Sequence, residues 1–299
     1  MKESDLKTGI YEGVPFTEYL SWDACSQSGL SVMHQKSPLH YKHYIDRGAD
    51  TEALRFGRAF HDFVSGEFEG KYAVQPDFGD GRRKETKAQV AVWKEANKAF
   101  KWINEKDMSA ITGMAKRIEA NKYASKIVNY PGAKREVSML WRDELTGVLC
   151  KGRMDLYIEN YKGSGPLIAD FKTTSSANEL EFERSAYKYG YHIQAGMYVE
   201  GLESLSGKKN CLPDPPDEDS EDEYSASTSS RFIIIACEKE PPYACNVFNY
   251  DTEAISAGRL CCSRALQRVK SCKQFKEWNE NDGVRALYLP KYAEELNDV

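Results

Sequence analysis

Residues Leu149 to Thr174 read LCKGRMDLYIENYKGSGPLIADFKTT, and this stretch decides the fold. Leu149 to Ile158 carries β-branched and apolar residues, Asn160 to Pro166 is turn punctuation, and Leu167-Ile168-Ala169 opens a second apolar run. The pattern predicts two strands joined by a turn. Side chains alternate along a strand, so Asp170 and Lys172 share one face and Phe171 takes the other. Hairpin pairing is expected to bring Asp155 onto the face of Asp170 and Lys172. Two carboxylates and an ammonium then converge beside an otherwise apolar sheet.

That grouping suits phosphodiester hydrolysis with a divalent ion. Hard Mg2+, or Mn2+, prefers carboxylate oxygens and retains water. A lysine beside the ion can orient the attacking water or stabilise developing charge. A hairpin salt bridge is the plainer use of the same residues, so the rest of the chain has to decide.

Working outward, Ala133 to Trp141 alternates like a strand and pairs with Val148 to Ile158 through a turn at Asp143 to Gly147. Glu136 on that strand is a further ligand or a supporting carboxylate. Upstream, Thr51 to Val64 reads as a buried helix on which Gly57 permits close backbone approach and His61 lies one turn later. Downstream, Ser175 to Ser185 reads as a polar crossover and Ala186 to Leu202 as one helix, with Gln194 and Tyr198 one turn apart. Arg231 to Cys237 is a buried strand with Tyr243 to Tyr250 as its partner. Thr252 opens a long helix to about Asn279, with Leu260, Leu266, Val269, Phe275 and Trp278 expected on its apolar side.

The remaining segments carry weaker signals. Residues 1–20 read as irregular. Ser26 and Ser28 sit where a helix starts, as an N-cap or as hydroxyls able to hold a phosphate. Leu39 to Asp46 forms a short helix, Lys71 to Asp80 a strand and loop, Thr86 to Ile103 a helix, and Lys106 to Asn129 further helices. Arg82, Arg83 and Lys87 with Lys116, Arg117, Lys122 and Lys126 are candidates for a DNA backbone or a solvated face. Pro213 to Ser230 is acidic, rich in Pro and Ser, and reads as a disordered insert.

The whole chain of 299 residues, with 41% hydrophobic and 29% charged residues, is ordinary for a globular protein. It lacks a long apolar run and an N-terminal apolar core, so a cytoplasmic protein without a membrane partner is expected. The 8 cysteines are then reduced thiols, and no CxxC suggests a zinc or iron–sulfur site. A net charge of −5 neither advertises nor excludes a nucleic-acid partner.

Taken together, the motifs resemble the PD-(D/E)XK nuclease superfamily in its RecB-like branch. Gly57 to His61 resembles the GxxxH helix and Glu136 an upstream glutamate. Gly152 to Asp155 resembles G-x-x-D, Asp170 to Thr173 D-x-K-T, and Gln194 to Tyr198 Q-x-x-x-Y. The second acid is Asp where many relatives have Glu. Ser26 to Leu30 and Ser37 to Tyr41 further resemble the exodeoxyribonuclease VIII (RecE-like) exonuclease domain of phages and prophages.

The resemblance implies an α/β fold, a central mixed sheet flanked by helices with N- and C-terminal additions. It implies a single nuclease domain: an extension over 1–50, a catalytic core over 51–205, the insert at 213–230, and strands and a long helix over 231–290. Asp155 and Asp170 are then ligands of Mg2+, helped by His61, the backbone carbonyl of Phe171 and Glu136. Lys172 positions the nucleophilic water, and Gln194 and Tyr198 line the site. Ser26, Ser28, Arg82, Arg83, Arg153 and Thr173 are DNA-binding candidates. The implied activity is 5′-to-3′ digestion of double-stranded DNA ends, leaving 3′ overhangs for a single-strand annealing recombinase. A ring-shaped homo-oligomer, in a bacterial host or phage-encoded, accompanies it. A nicking endonuclease or a non-catalytic DNA-binding protein are the alternatives.

Overall fold

The computed structural model describes residues 3–48, 50–206 and 232–279, with Val284 and Ala286. The acidic stretch 213–230 lies outside them. Strands β1 (Gly9–Tyr11), β2 (Cys25–Ser26), β5 (Lys134–Arg142), β6 (Leu149–Ile158), β7 (Leu167–Thr174), β8 (Phe232–Glu238) and β9 (Cys245–Asn249) form one mixed sheet. Its order is β1-β5-β6-β7-β8-β9, with β2 added against β6. The β5–β6 and β6–β7 pairs are antiparallel as expected, and β7 lies parallel to β8. A separate parallel pair joins β3 (Tyr72–Gln75) to β4 (Lys101–Asn104).

Each sheet face buries its own core. Val137, Met139, Ile168, Phe232 and Ile234 pack with α2 (Gln27–Gln35), α9 (Tyr191–Ser206) and α10 (Thr252–Phe275). Ala169, Phe171, Ile233 and Ile235 pack with α4 (Glu52–Val64), α6 (Glu105–Ala120) and α7 (Lys122–Val128). The alternation along β7 and β8 is regular, as period-2 sequences require. Along β6 it slips. Cys150, Met154 and Tyr157 belong to the α9 side, while Leu156 and Ile158 belong to the α4 side. The slip falls at Asp155, between Met154 and Leu156.

Several local expectations change. Residues 1–20 contain β1 and a short helix, α1 (Phe16–Ser21), held against the sheet by Tyr19 and Trp22. The helix expected to run to Ile103 ends as α5 (Lys84–Ala96). Lys101 to Asn104 is extended because it pairs with Tyr72 to Gln75, a partner that no local signal announces. The polar crossover contains α8 (Glu179–Tyr189), and the single helix expected from Ala186 is broken at Gly190. Gly190 has φ +70, the left-handed region that glycine enters without a steric penalty. A Cβ added at Gly57 would meet open space, so no element approaches there. On α10 the buried side is Ile255, Gly258, Cys262, Ala265, Leu266 and Val269, whereas Leu260 and Phe275 are exposed. The short helix expected near Leu39 is α3 (Pro38–Arg47), with Ser37 as N-cap.

The described cysteines form no disulfide. No described helix is long and apolar enough to cross a membrane.

Candidate active site

The site lies where the ladder between β6 and β7 opens. Pairing is confined to Leu156↔Ala169, Tyr157↔Ile168 and Ile158↔Leu167. Strand β5 occupies the other edge of β6 along nearly its whole length. β2 returns to the β7-side edge only at Cys150 and Lys151. Residues 152–155 therefore face a gap, and backbone groups released there need new partners. Side chains supply them. The Asp155 Oδ2 accepts from the Phe171 N–H at 2.8 Å. The Tyr198 hydroxyl accepts from the Arg153 N–H at 3.3 Å and donates to the Arg153 carbonyl at 3.1 Å. A Cβ on Gly152 would lie 3.0 Å from the Tyr198 ring and 2.7 Å from Met139 Cε, so the glycine makes room for the tyrosine.

Extending the registers places Glu136, Asp155 and Asp170 in one row across β5, β6 and β7. Glu136 and Asp155 face each other without a regular pair between Arg135↔Leu156 and Val137↔Met154. Glu136 has φ +51, a conformation costing about 1–3 kcal/mol for a non-glycine residue and concentrated at functional sites. His61 reaches the row from α4. Ligand atoms of His61, Glu136 and Asp155 all lie within 4.8 Å of one another.

The electrostatics follow from burial and from these neighbours. His61 Nε2–H donates to the Phe171 carbonyl at 2.8 Å, and Nδ1 lies 3.3 Å from Asp155 Oδ1. Burial opposes charge on the imidazole, but the Asp155 carboxylate outweighs it and raises the pKa to about 9. Burial likewise opposes ionisation of Asp155, yet His61, Lys172 and the Phe171 N–H together hold its pKa below the ordinary value. Burial, then the Asp155 charge, push Glu136 up against the pull of Arg153. Asp170 is raised by burial and by Asp155, although Lys172 counteracts both.

Lys172 forms an ion pair with Asp170 Oδ2. Its Nζ also donates to Gln194 Oε1 at 3.0 Å, while Gln194 Nε2 donates to Asp170 Oδ1 at 2.6 Å. One amide thus fixes the acid and the lysine together. Asp170 is thus buried with Oδ1 held by Gln194 and Oδ2 paired with Lys172. Carboxylates grouped in this way beside an imidazole are a donor set suited to a hard divalent cation.

Of the sequence candidates, His61, Glu136, Asp155, Asp170, Phe171, Lys172, Gln194 and Tyr198 come together here. Arg153 borders the site, but its guanidinium is occupied by Glu136 Oε2 at 2.6 Å, the Val14 carbonyl at 2.8 Å and Ser138 Oγ at 3.2 Å. Thr173 continues β7 and registers with Cys237. Ser26 caps α2 by accepting from the Gly29 N–H, and Ser28 Oγ donates to Gln27 Oε1. Arg82 is an exposed ion-pair partner of Asp80, and Arg83 precedes α5. Lys116, Arg117, Lys122 and Lys126 are exposed on α6 and α7.

Tyr191 was not singled out in the sequence, yet Lys172 Nζ lies 4.8 Å from its ring centroid. The signal that could have found it is Gly190, whose helix break presents the next residue to the site. A cleft of about 1050 Å3 adjoins the site through Glu136 and Arg153 and is lined by Phe16, Arg55, Arg58 and Trp102 among others.

A family described as "PDDEXK-like domain of unknown function (DUF3799)" matches residues 16–214. Among solved structures, a candidate exonuclease from Eubacterium rectale aligns at 16% identity and TM-score 0.55, over 96% of this chain and 98% of that one. At that identity the likeness shows the fold. A second structure, of SSO0001, aligns over 72% of this chain and 84% of that one at 15% identity, with a TM-score of 0.29 that carries no argument. No curated protein matches the chain.

Proposed function

The chain belongs to the PDDEXK-like family DUF3799, and on that premise we propose that it is a metal-dependent deoxyribonuclease. In its finer form the reading is a 5′-to-3′ exonuclease on linear double-stranded DNA, leaving 3′ overhangs for phage-type recombination. The observation that carries it is the row Glu136–Asp155–Asp170 at the opened ladder, with Lys172 and Gln194 locked to its last member.

Asp155, Asp170 and Glu136, with His61 and the Phe171 carbonyl, would hold Mg2+ or Mn2+. When bound, such an ion polarises the phosphate and lowers the pKa of a ligand water. The protein's own contribution is positional. Burial favours a neutral Lys172, but the Asp170 charge more than offsets it and leaves the pKa raised. Lys172 is therefore an ammonium at neutral pH, a donor and not a general base. It orients the attacking water and stabilises negative charge that grows on the phosphate. Gln194 keeps that ammonium aimed, and Tyr198 keeps the gap in the sheet satisfied while it stays open.

The test is digestion of linear duplex DNA labelled separately at each 5′ and 3′ end, beside a covalently closed circle, with Mg2+, with Mn2+ and without metal. Early release of 5′-labelled products with the circle intact is expected. Nicked or linearised circle would mean the endonuclease instead. No cleavage with either metal would leave a binding protein. The same reading includes a homo-oligomeric ring around DNA and hand-over to an annealing protein; light scattering with and without duplex tests the ring.

A further inference from the structure

The junction between α8 and α9 carries a run of rings that catalysis does not use. Tyr187 is 76% exposed and Tyr189 57% exposed. Tyr189 stacks on Tyr191 at 5.9 Å with a 27° interplanar angle, and Tyr187 stacks on His192 at 5.5 Å and 11°. Tyr191 is the ring over which the Lys172 ammonium sits. The rings therefore lead from the reactive lysine out to solvent.

Cations flank the same surface. Lys188 Nζ lies 5.7 Å from the Tyr189 ring. Gln35 Nε2 donates to the Lys188 carbonyl at 3.3 Å, and Arg268 donates to the Met33 carbonyl at 3.2 Å, so the end of α2 joins α8 and α10 here. His34 lies at this end of α2, and Arg264 and Arg268 are exposed on α10. Burial, then the Arg264 and Arg268 cations, lower the His34 pKa, and burial, then His34, lower that of His192, so the lasting positive charge here is that of Lys188, Arg264 and Arg268.

Two exposed aromatic rings, each at the outer end of a stack and with cations alongside, match single-stranded nucleic acid. Unpaired bases stack on rings whatever their sequence, and phosphates take the positive charge. A duplex keeps its base faces inside and cannot use the rings this way. We propose that Tyr187 and Tyr189 form a stacking platform for the single-stranded DNA that is contiguous with the strand held at Lys172. The occupant rests on the nuclease reading above.

The experiment is fluorescence anisotropy with labelled oligo(dT) and with a blunt duplex, in EDTA, on the full chain. Tyr187→Ala and Tyr189→Ala should each weaken oligo(dT) binding about tenfold, as loss of a stacking ring does. Duplex binding should hold, and Tyr187→Phe and Tyr189→Phe should bind oligo(dT) like wild type, because the ring and not the hydroxyl stacks. Unchanged oligo(dT) affinity in the double alanine variant overturns the platform. So does a loss as large in the phenylalanine variants. Unchanged affinity with an altered mass in light scattering reassigns the surface to contact between copies. Mg2+-dependent cleavage by the wild type reports separately on the nuclease reading. Cleavage without tyrosine-dependent binding removes the platform alone; tyrosine-dependent binding without cleavage removes only the nuclease.

Discussion

Two lysines, Lys151 buried and Lys172 half-buried, stand on either side of the gap beside β6, and their partners give them opposite character. Lys151, at the β2 end, donates to the carbonyls of Tyr19 at 3.0 Å, Leu20 at 3.1 Å and Trp22 at 2.7 Å. Burial pushes its pKa down to about 8. Lys172, at the β7 end, is opposed by burial too, but the Asp170 carboxylate reverses the direction. Carbonyl dipoles hold a lysine in place without a compensating charge, whereas a carboxylate secures the ammonium itself. Lys151 thus clamps the N-terminal segment to the sheet, and Lys172 serves as a permanent cation at the site.

Substitution separates the two roles. Lys172→Ala should reduce cleavage by roughly 10^3-fold, the scale of removing a transition-state donor, while metal-free DNA binding persists; Asp155→Ala should behave alike. Full activity in both variants sinks the site assignment. Lys151→Met should instead lower stability by about 3 kcal/mol, since it strips three carbonyls, those of Tyr19 and Trp22 buried, of their donor. Urea unfolding measures this, and the folded fraction should still cleave. Gln194→Leu should cost about 10- to 100-fold in rate, as loss of a group orienting a ligand does. Wild-type turnover there would show that Lys172 and Asp170 hold each other without the amide.

The smallest effect is in pH. Lys151 has a folded pKa depressed to about 8 from 10.5. Its favourable contribution is present above the unfolded value and is lost as pH falls through the folded one. The stability gap between wild type and Lys151→Met should therefore widen, by about 2 kcal/mol, from pH 8 towards 10.5. Lys172 is raised above 10.5, so its contribution is complete below that pH and declines only above it. A flat gap for Lys151→Met across pH 8–10.5 would mean that the three carbonyls keep it charged after all.

How much was legible follows the range of each interaction. The turn at Asp143–Gly147 and the pairing of β5 with β6 were readable because alternation and turn chemistry are local. The cap at Ser26 was readable for the same reason. Strand β4 was not, because Lys101 to Asn104 owes its extension to Tyr72 to Gln75. Leu260 and Phe275 were misplaced because α10 turns its small residues inward, towards α9. Within the site, Asp155, Asp170 and Lys172 could be named from spacing, but Tyr191 depended on a helix break at Gly190.

By itself the sequence determined which residues are candidates for the site, the order in which they arrive and the strands that bear them, since period 2 and period 3.6 are properties of the local chain. Only the tertiary structure decided that β6 and β7 part at Asp155, that Glu136 turns to φ +51 beside it, and that Gln194 ties Asp170 to Lys172. Those outcomes depend on where released backbone groups and buried charges find partners. The partners come from β5, α4 and α9, far away along the chain.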